Sequence, residues 1–278
     1  MLFSVSVRRE IRGNLATIRK LGYDAVTLAY PLLDGLSASG LREVAAVVQR
    51  AGLYVAAVRR DVAAKVLRAP GDVDRAIDEW RAALEAARAV GAAMVVSDLG
   101  VLPPGPRQPT AEPVEAVGGL LLPSAADVAK FGGEPTEPET RRPEHEAVVD
   151  QALEEAGVLT DRLGVPLAVG STLSGSAALS RTLTAASGPL VEWELDPAAL
   201  LPGDAAALLA DHSDRLLHVR GRDVTLGDAG RGKPVPIGEG DVDWPATLAL
   251  LRDAGYNGVF TVEGGASGLD LLRDQSQQ

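Results

Sequence analysis

Asp196, Arg220 and Glu263 each close a short apolar run in the second half of the chain, and His218 stands two residues before Arg220. A carboxylate can take a proton from carbon, a guanidinium can hold the oxyanion that forms, and an imidazole can pass a proton near neutral pH. Strand alternation sharpens the grouping. Glu192, Glu194 and Asp196 share one face of their run, and Leu216, His218 and Arg220 share one face of theirs. If Asp196 faces inward, Glu194 does too, one layer deeper and near the level of His218. Buried carboxylates without partners are costly, so a Glu194–His218–Arg220 network is expected. Arg222, just past its run, can clamp a substrate carboxylate or phosphate, and Arg59, which ends an earlier run, can face the same site. Each of these has a plainer reading. The carboxylates and Arg220 can be a space-filling ion cluster, His218 a core histidine with both nitrogens satisfied, and Arg222 a solvated loop residue.

The elements that must position these groups alternate between strand and helix. Strands are expected at Leu2–Val7, Asp24–Ala29, Leu53–Val58 and Ala93–Ser97, with helices at Ile11–Leu21, Leu41–Ala51 and Val73–Val90 between them. The last is the clearest, because Val73, Ala76, Ile77, Trp80, Leu84 and Ala87 recur at three and four. Residues 101–143 break the pattern with prolines and paired glycines, which suit neither helix nor strand. This stretch reads as an insertion loop after the fourth strand, or as a lid over the site. Helices resume at Glu144–Leu163, about Gly175–Ala186, Pro197–Ala210 and Trp244–Ala254, with strands at Val165–Val169, Leu190–Leu195, Leu216–Arg220 and Val259–Glu263. Asp243 is placed to cap the helix that starts at Trp244, and Ser267 to open a final one. Eight strands alternating with helices predict a single (β/α)8 TIM barrel over residues 1–278, with the long Pro/Gly-rich loop within it. An open doubly wound sheet is disfavoured, since no Gly-rich dinucleotide turn follows the first strand.

Composition narrows the function classes. The chain has 278 residues, 46% of them apolar, with no cysteine, so disulfides, thiolate metal sites and cysteine nucleophiles are excluded. A net charge of −11 disfavours nucleic acid and anionic membranes as partners. No apolar run approaches a membrane span, and the first residues lack the order of a signal peptide, so a cytoplasmic location is expected. Gly227–Lys233 copies phosphate-loop spacing, but Pro234 stands where Ser or Thr would hold magnesium and no helix pattern follows; it reads as a glycine-rich loop. No nucleophile elbow occurs, which leaves a serine hydrolase without support.

The ordered set Gly238-Glu-Gly-Asp-Val-Asp-Trp244, then Gly255-Tyr-Asn-Gly258, then a strand ending in Glu263, resembles the closing third of the xylose-isomerase-like sugar isomerase and epimerase family. Leu21–Leu28, Ala51–Val58 and Ala86–Ala92 resemble earlier strand corners of that family. The resemblance implies a barrel whose strand ends supply Glu, Asp, His and Glu to one divalent metal. At the matching positions this chain has Gly170, Asp196, Arg220 and Glu263, and Thr27 where Glu is common. Two hard oxygen donors of four remain, too few to hold a divalent ion firmly.

From this resemblance, Arg220 is expected between Asp196 and Glu263 at the barrel mouth, an internal cation in place of the metal. The implied activity is metal-independent proton transfer on a small polyol, sugar or related carbonyl compound. Glu263 or Asp196 would be the base, Arg220 the oxyanion stabiliser and His218 a proton shuttle, with Glu194, Arg222 and Arg59 binding substrate. No cofactor is expected, and partners are confined to a small-molecule substrate and a second copy in a homodimer. Two alternatives stay open. One is a non-catalytic binding or scaffold protein that kept the barrel. The other is a metal completed by a ligand from 101–143, where Glu112, Glu115, Asp127 and Glu134 are available.

Overall fold

The computed structural model describes residues 1–8, 11, 14–62, 67–103, 143–171, 174, 176–186, 188–200, 204–226, 232–263 and 269–276. Eight parallel strands close into a barrel: β1 (Leu2–Val7), β2 (Ala25–Ala29), β3 (Tyr54–Arg59), β4 (Met94–Asp98), β5 (Leu167–Gly170), β6 (Val191–Leu195), β7 (Leu216–Gly221) and β10 (Val259–Val262). The strands follow one another around the barrel in chain order, and β10 returns beside β1. The helices between them are α1 (Leu15–Lys20), α2 (Ala38–Arg50), α3 (Gly71–Val90), α4 (Pro143–Leu163), α5 (Ser176–Ala185), α6 (Asp204–His212), α7 (Trp244–Asp253) and α8 (Leu269–Ser276). The lid expected within 101–143 falls almost wholly outside the described residues. Among the described residues, no helix is long and apolar enough to cross a membrane.

Local chemistry sets the helix ends. Gly91 closes α3 in the left-handed conformation that other residues resist, and Asp243 Oδ1 accepts the Ala246 N–H at 2.9 Å to cap α7. Two expectations change. The helix expected over Pro197–Ala210 is a 3-10 turn at Pro197–Ala199 followed by α6, with Pro202-Gly203 in the sequence between them. The segment after Arg222 contains an antiparallel hairpin of β8 (Asp223–Leu226) and β9 (Gly232–Val235), which pairs Asp223 with Val235. Gly232 and Lys233 of the phosphate-loop lookalike are β9 residues; its other residues lie outside the described set.

The apolar residues sort into two bodies. A large one joins the outer strand faces to the helices, with Trp80, Trp193, Trp244 and Phe260 buried in it. A small one, with Ala25, Ala57, Met94, Val96, Ala168 and Val259, gathers inward-facing positions of β2, β3, β4, β5 and β10. Continuing the alternation up each strand, the inward set becomes Ser4, Thr27, Glu194, His218 and Thr261, then Arg8, Arg59, Asp98, Gly170, Asp196, Arg220 and Glu263. Apolar residues thus fill the lower interior, hydroxyls with one Glu–His pair the middle, and charges the mouth at the carboxyl ends of the strands.

The candidate active site at the barrel mouth

The middle layer is a continuous hydrogen-bond chain. Strands β6 and β7 shift register after Trp193, which sets Glu194 opposite His218. His218 Nδ1 lies 2.8 Å from Glu194 Oε1 and its Nε2 lies 2.7 Å from Thr261 Oγ1. Thr261 Oγ1 is 2.8 Å from Thr27 Oγ1, which is 2.9 Å from Ser4 Oγ. His218 is fully buried, and burial holds its imidazole below the ordinary pKa despite the opposing pull of Glu194. A neutral ring beside an ionised carboxylate gives the chain one polarity. Nδ1–H donates to Glu194, so Nε2 accepts from Thr261, Thr261 from Thr27, and Thr27 from Ser4.

Above this layer stand four guanidiniums, those of Arg8, Arg59, Arg220 and Arg222, and four carboxylates, those of Asp61, Asp98, Asp196 and Glu263. Arg59 donates to Glu194 Oε1 through Nη2 and to Asp61 Oδ1 through Nη1 at 2.9 Å, and its Nε lies 3.5 Å from Glu263 Oε1. Arg220 Nη2 donates to Glu263 Oε2 at 3.0 Å, while its Nη1 stays 3.7 Å from Asp98 and 3.9 Å from Asp196. Arg222 Nε donates to Asp196 Oδ2 at 2.6 Å. Arg8 reaches in from β1 to donate to Glu263 Oε2 at 2.8 Å, although its side chain is 57% exposed. Arg59 and Arg220 are buried, and Asp196 and Glu263 are each 6% exposed.

Burial and charge act differently on the carboxylates. For Asp196 burial is the larger influence and outweighs Arg222 and Arg220, so its pKa is pushed up to about 6. Burial also opposes ionisation of Glu263, but Arg220, Arg59 and Arg8 together hold it below the usual carboxylate range. Glu194 is likewise held low, because Arg59 and then His218 overcome its burial. Of the two, burial leaves Asp196 the nearer to protonation at neutral pH, while the surrounding guanidiniums keep Glu263 ionised.

The structure brings Asp196, Arg220, Glu263, Arg222 and Arg59 together at the mouth. It places Glu194 and His218 one layer below, with no ring atom of His218 open to the mouth. Two pairings differ from expectation. Asp196 is gripped by Arg222 rather than by Arg220, and the partner of Glu194 is Arg59 across the barrel rather than Arg220. Arg59 follows Glu194 by closure of the ring, since 135 positions separate them. Asp98, Asp61, Arg8 and Thr261 were not anticipated, and Thr27 was noted only as standing where Glu is common. Asp98 carried a readable signal, because it closes the apolar run of β4 as Asp196 closes that of β6. Beside the mouth, Asp223 ties the start of β8 to the segment Gly238–Trp244. Its carboxylate accepts from the N–H of Val224, Gly238, Gly240 and Val242 and from Trp244 Nε1.

The donor set at the four strand ends does not fit a divalent cation. Gly170 offers no side chain, and a Cβ there would stand 3.0 Å from the Glu194 carbonyl oxygen. The Arg220 nitrogens have no lone pair to give, and they bring a positive charge. The remaining carboxylates each already carry a guanidinium on one oxygen: Asp196 Oδ2 from Arg222, Glu263 Oε2 from Arg220 and Arg8. The acidic residues of 101–143 named as completing ligands lie outside the described residues.

Known proteins place this barrel. The model of the xylose isomerase-like TIM barrel matches residues 15–276. The fold superposes on a xylose isomerase domain protein from Planctomyces limnophilus with a TM-score of 0.73, at 16% identity over 99% of this chain and 96% of that one. Mannonate dehydratase from Streptococcus suis gives 0.70, at 15% identity over 99% and 94%. The 3-keto-D-glucoside 4-epimerase of E. coli gives 0.64, at 18% identity over 99% and 97%. A search of curated protein sequences finds no match. With the match spanning nearly the whole chain, and with eight parallel strands closed into a barrel, the chain belongs to the xylose isomerase-like TIM-barrel family.

Proposed function

We propose that the protein is a sugar isomerase or epimerase-type enzyme that moves a proton beside the carbonyl of a small polyhydroxy compound, with guanidiniums in place of the divalent cation. The observation that carries this reading is Arg220. It ends the strand where the family usually supplies a ligand, it is buried at the mouth, and it pairs with Glu263 at 3.0 Å. In the step, Asp196 takes the proton from the carbon next to the carbonyl. The C–H electron pair becomes the C=C bond of an enediolate, and the carbonyl pair moves to oxygen, where Arg220 receives the charge. Return of the proton by Asp196 to the neighbouring carbon, with a hydroxyl proton passing to the first oxygen, gives an isomer; an epimer forms when water entering the mouth protonates the opposite face and Asp196 gives its proton up to the hydroxide left behind. Glu263, held ionised, accepts a substrate hydroxyl. The structural neighbours include a 3-keto-D-glucoside 4-epimerase and a mannonate dehydratase, which is in keeping with the class and leaves the substrate open.

One observation favours a second reading, a binding protein that retains the barrel without the reaction: Glu194, Asp196 and Glu263 are each already engaged by a guanidinium. Deuterium incorporation into free ketoses and keto acids, followed by proton NMR in D2O with EDTA present, separates the two. The enzyme reading expects incorporation that survives EDTA and is abolished by Asp196→Asn. Incorporation stopped by EDTA and restored by Mn2+ overturns the metal-free chemistry. No incorporation with any member of the panel, together with saturable sugar binding, establishes the second reading.

A further inference from the structure

The middle layer holds more polar groups than packing calls for. Ser4, Thr27, His218 and Thr261 are fully buried and Glu194 is 2% exposed, at positions where the layer beneath uses Ala, Val and Met. Valine in place of the threonines would fill the same volume without a hydroxyl to satisfy. Instead the five side chains form one directed chain from β1 through β2, β10, β7 and β6, and its last member, Glu194, ends on Arg59 of β3.

Arg59 needs holding. Its Nε faces Glu263 Oε1 at 3.5 Å while Arg220 and the largely exposed Arg8 hold Glu263 Oε2 at 3.0 Å and 2.8 Å, so three guanidiniums converge on one carboxylate. Like charges that close together repel, and the one without an anchor would move toward solvent. Arg220 is tied to β10 by Glu263. Arg59 is tied by Asp61, which is 44% exposed, and by the buried Glu194. Glu194 in turn lies against Gly170, where an added Cβ would stand 3.3 Å from its Cβ and 3.5 Å from its Oε2. The side chain missing at position 170 is the room that Glu194 uses.

We infer that the Ser4–Thr27–Thr261–His218–Glu194 chain is a positioning device that locks Arg59 beside Arg220, so that a pair of guanidiniums, not one, supplies the double positive charge of a divalent ion. Arg59 and Arg220 are then the groups that touch the substrate oxygen, and Thr27, Thr261, His218 and Glu194 are positioning residues. What the pair does rests on the function proposed above; how Arg59 is held does not.

Thr261→Val removes the hydroxyl that donates to His218 while keeping the volume, and Thr261→Ser restores it. Two readouts follow each variant: the nitrogen-15 NMR signals of the Arg59 Nε–H and the His218 ring, and the kinetics of deuterium incorporation. With three histidines in the chain, His218→Gln assigns the ring. The wild type and Thr261→Ser are expected to show a protected Arg59 Nε–H and an Nδ1–H tautomer of His218 that stays neutral through the ordinary imidazole range, because the ring is buried. In Thr261→Val the Arg59 Nε–H exchanges about tenfold faster or more, and kcat falls about tenfold with KM within about twofold. If Thr261→Val does not fold, Thr27→Val interrupts the chain one link further out. Unchanged Arg59 exchange in either valine variant, or a His218 that titrates freely, overturns the inference. If no sugar takes up deuterium, the NMR arm still judges the chain; if deuterium is taken up but the Arg59 signal ignores the variants, the chain is lost and the enzyme reading stands.

Discussion

Asp223 and the mouth cluster bury carboxylates in opposite ways. Asp223 is 1% exposed and is met by five neutral donors, four backbone N–H groups and an indole. Glu194, Asp196 and Glu263 are buried almost as deeply but are met by guanidiniums. Neutral donors come from a backbone that has nowhere else to go, so the Asp223 arrangement is a fixed joint. It locks the Gly238–Trp244 segment to the start of β8, and Gly240 is needed there because a Cβ would fall 2.1 Å from Asp223 Oδ1. Guanidiniums on flexible stems can be shared with a ligand, and they shift proton affinity. The first design makes a rigid joint and the second a cluster whose charges can be shared, although both begin as a carboxylate in a low-dielectric interior.

The widest break in this contrast is Asp223→Ala. It strands five donors at once, and we expect a loss of about 4 kcal/mol or more in urea unfolding, against about 1–3 kcal/mol for a single buried unsatisfied group. A small loss would mean that the joint is not what fixes the segment. Arg220→Ala should fall on the other side of the contrast. Deuterium incorporation is expected to drop about 10²- to 10³-fold, with Arg220→Lys recovering only part of it because an ammonium lacks the planar fork. A variant that keeps full activity would remove Arg220 from the chemistry.

The pH response sharpens the contrast next. Asp196 has a folded pKa near 6, above its unfolded value, so its contribution to stability is present below about pH 4 and is lost as pH rises through about 6. Glu263 and Glu194 have lowered folded values, so their contributions are present above the ordinary glutamate range and are lost as pH falls through their folded values. Asp196→Asn should therefore gain on the wild type between about pH 4 and about pH 6.5, by up to about 3 kcal/mol in denaturant titrations. A wild-type-minus-variant difference that is flat with pH would show that Arg222 neutralises Asp196 fully. Arg8→Ala is the smallest break. Its side chain is 57% exposed, and water screens the pair with Glu263, so its stability cost should stay below about 1 kcal/mol by thermal unfolding.

The eight barrel strands and most of the helices were legible because alternation and the three-four repeat are local. Val73 to Ala87 spell α3, and Val259 to Glu263 spell β10, without reference to any other part of the chain. The ladder pairing Asp223 with Val235 was missed, because Gly227, Gly230, Gly232 and Pro234 in the sequence read as a loop. At the site, the residue types and the layer of Glu194 and His218 were readable from strand period. The pairings were not: a slip of register after Trp193 and the closure of the ring decide that Glu194 meets Arg59 rather than Arg220.

By itself, then, the order of residues determined a closed parallel barrel, the strand ends that face its mouth, and that Gly170 and Arg220 stand at two of them. The tertiary structure alone decided which acid answers which base, which carboxylate is pushed toward neutral pH, and that a thread of hydroxyls runs beneath them. The physical reason is range. Backbone periodicity is written within a few residues, whereas ion pairing and desolvation depend on distances across the barrel between groups as far apart in the chain as Arg8 and Glu263.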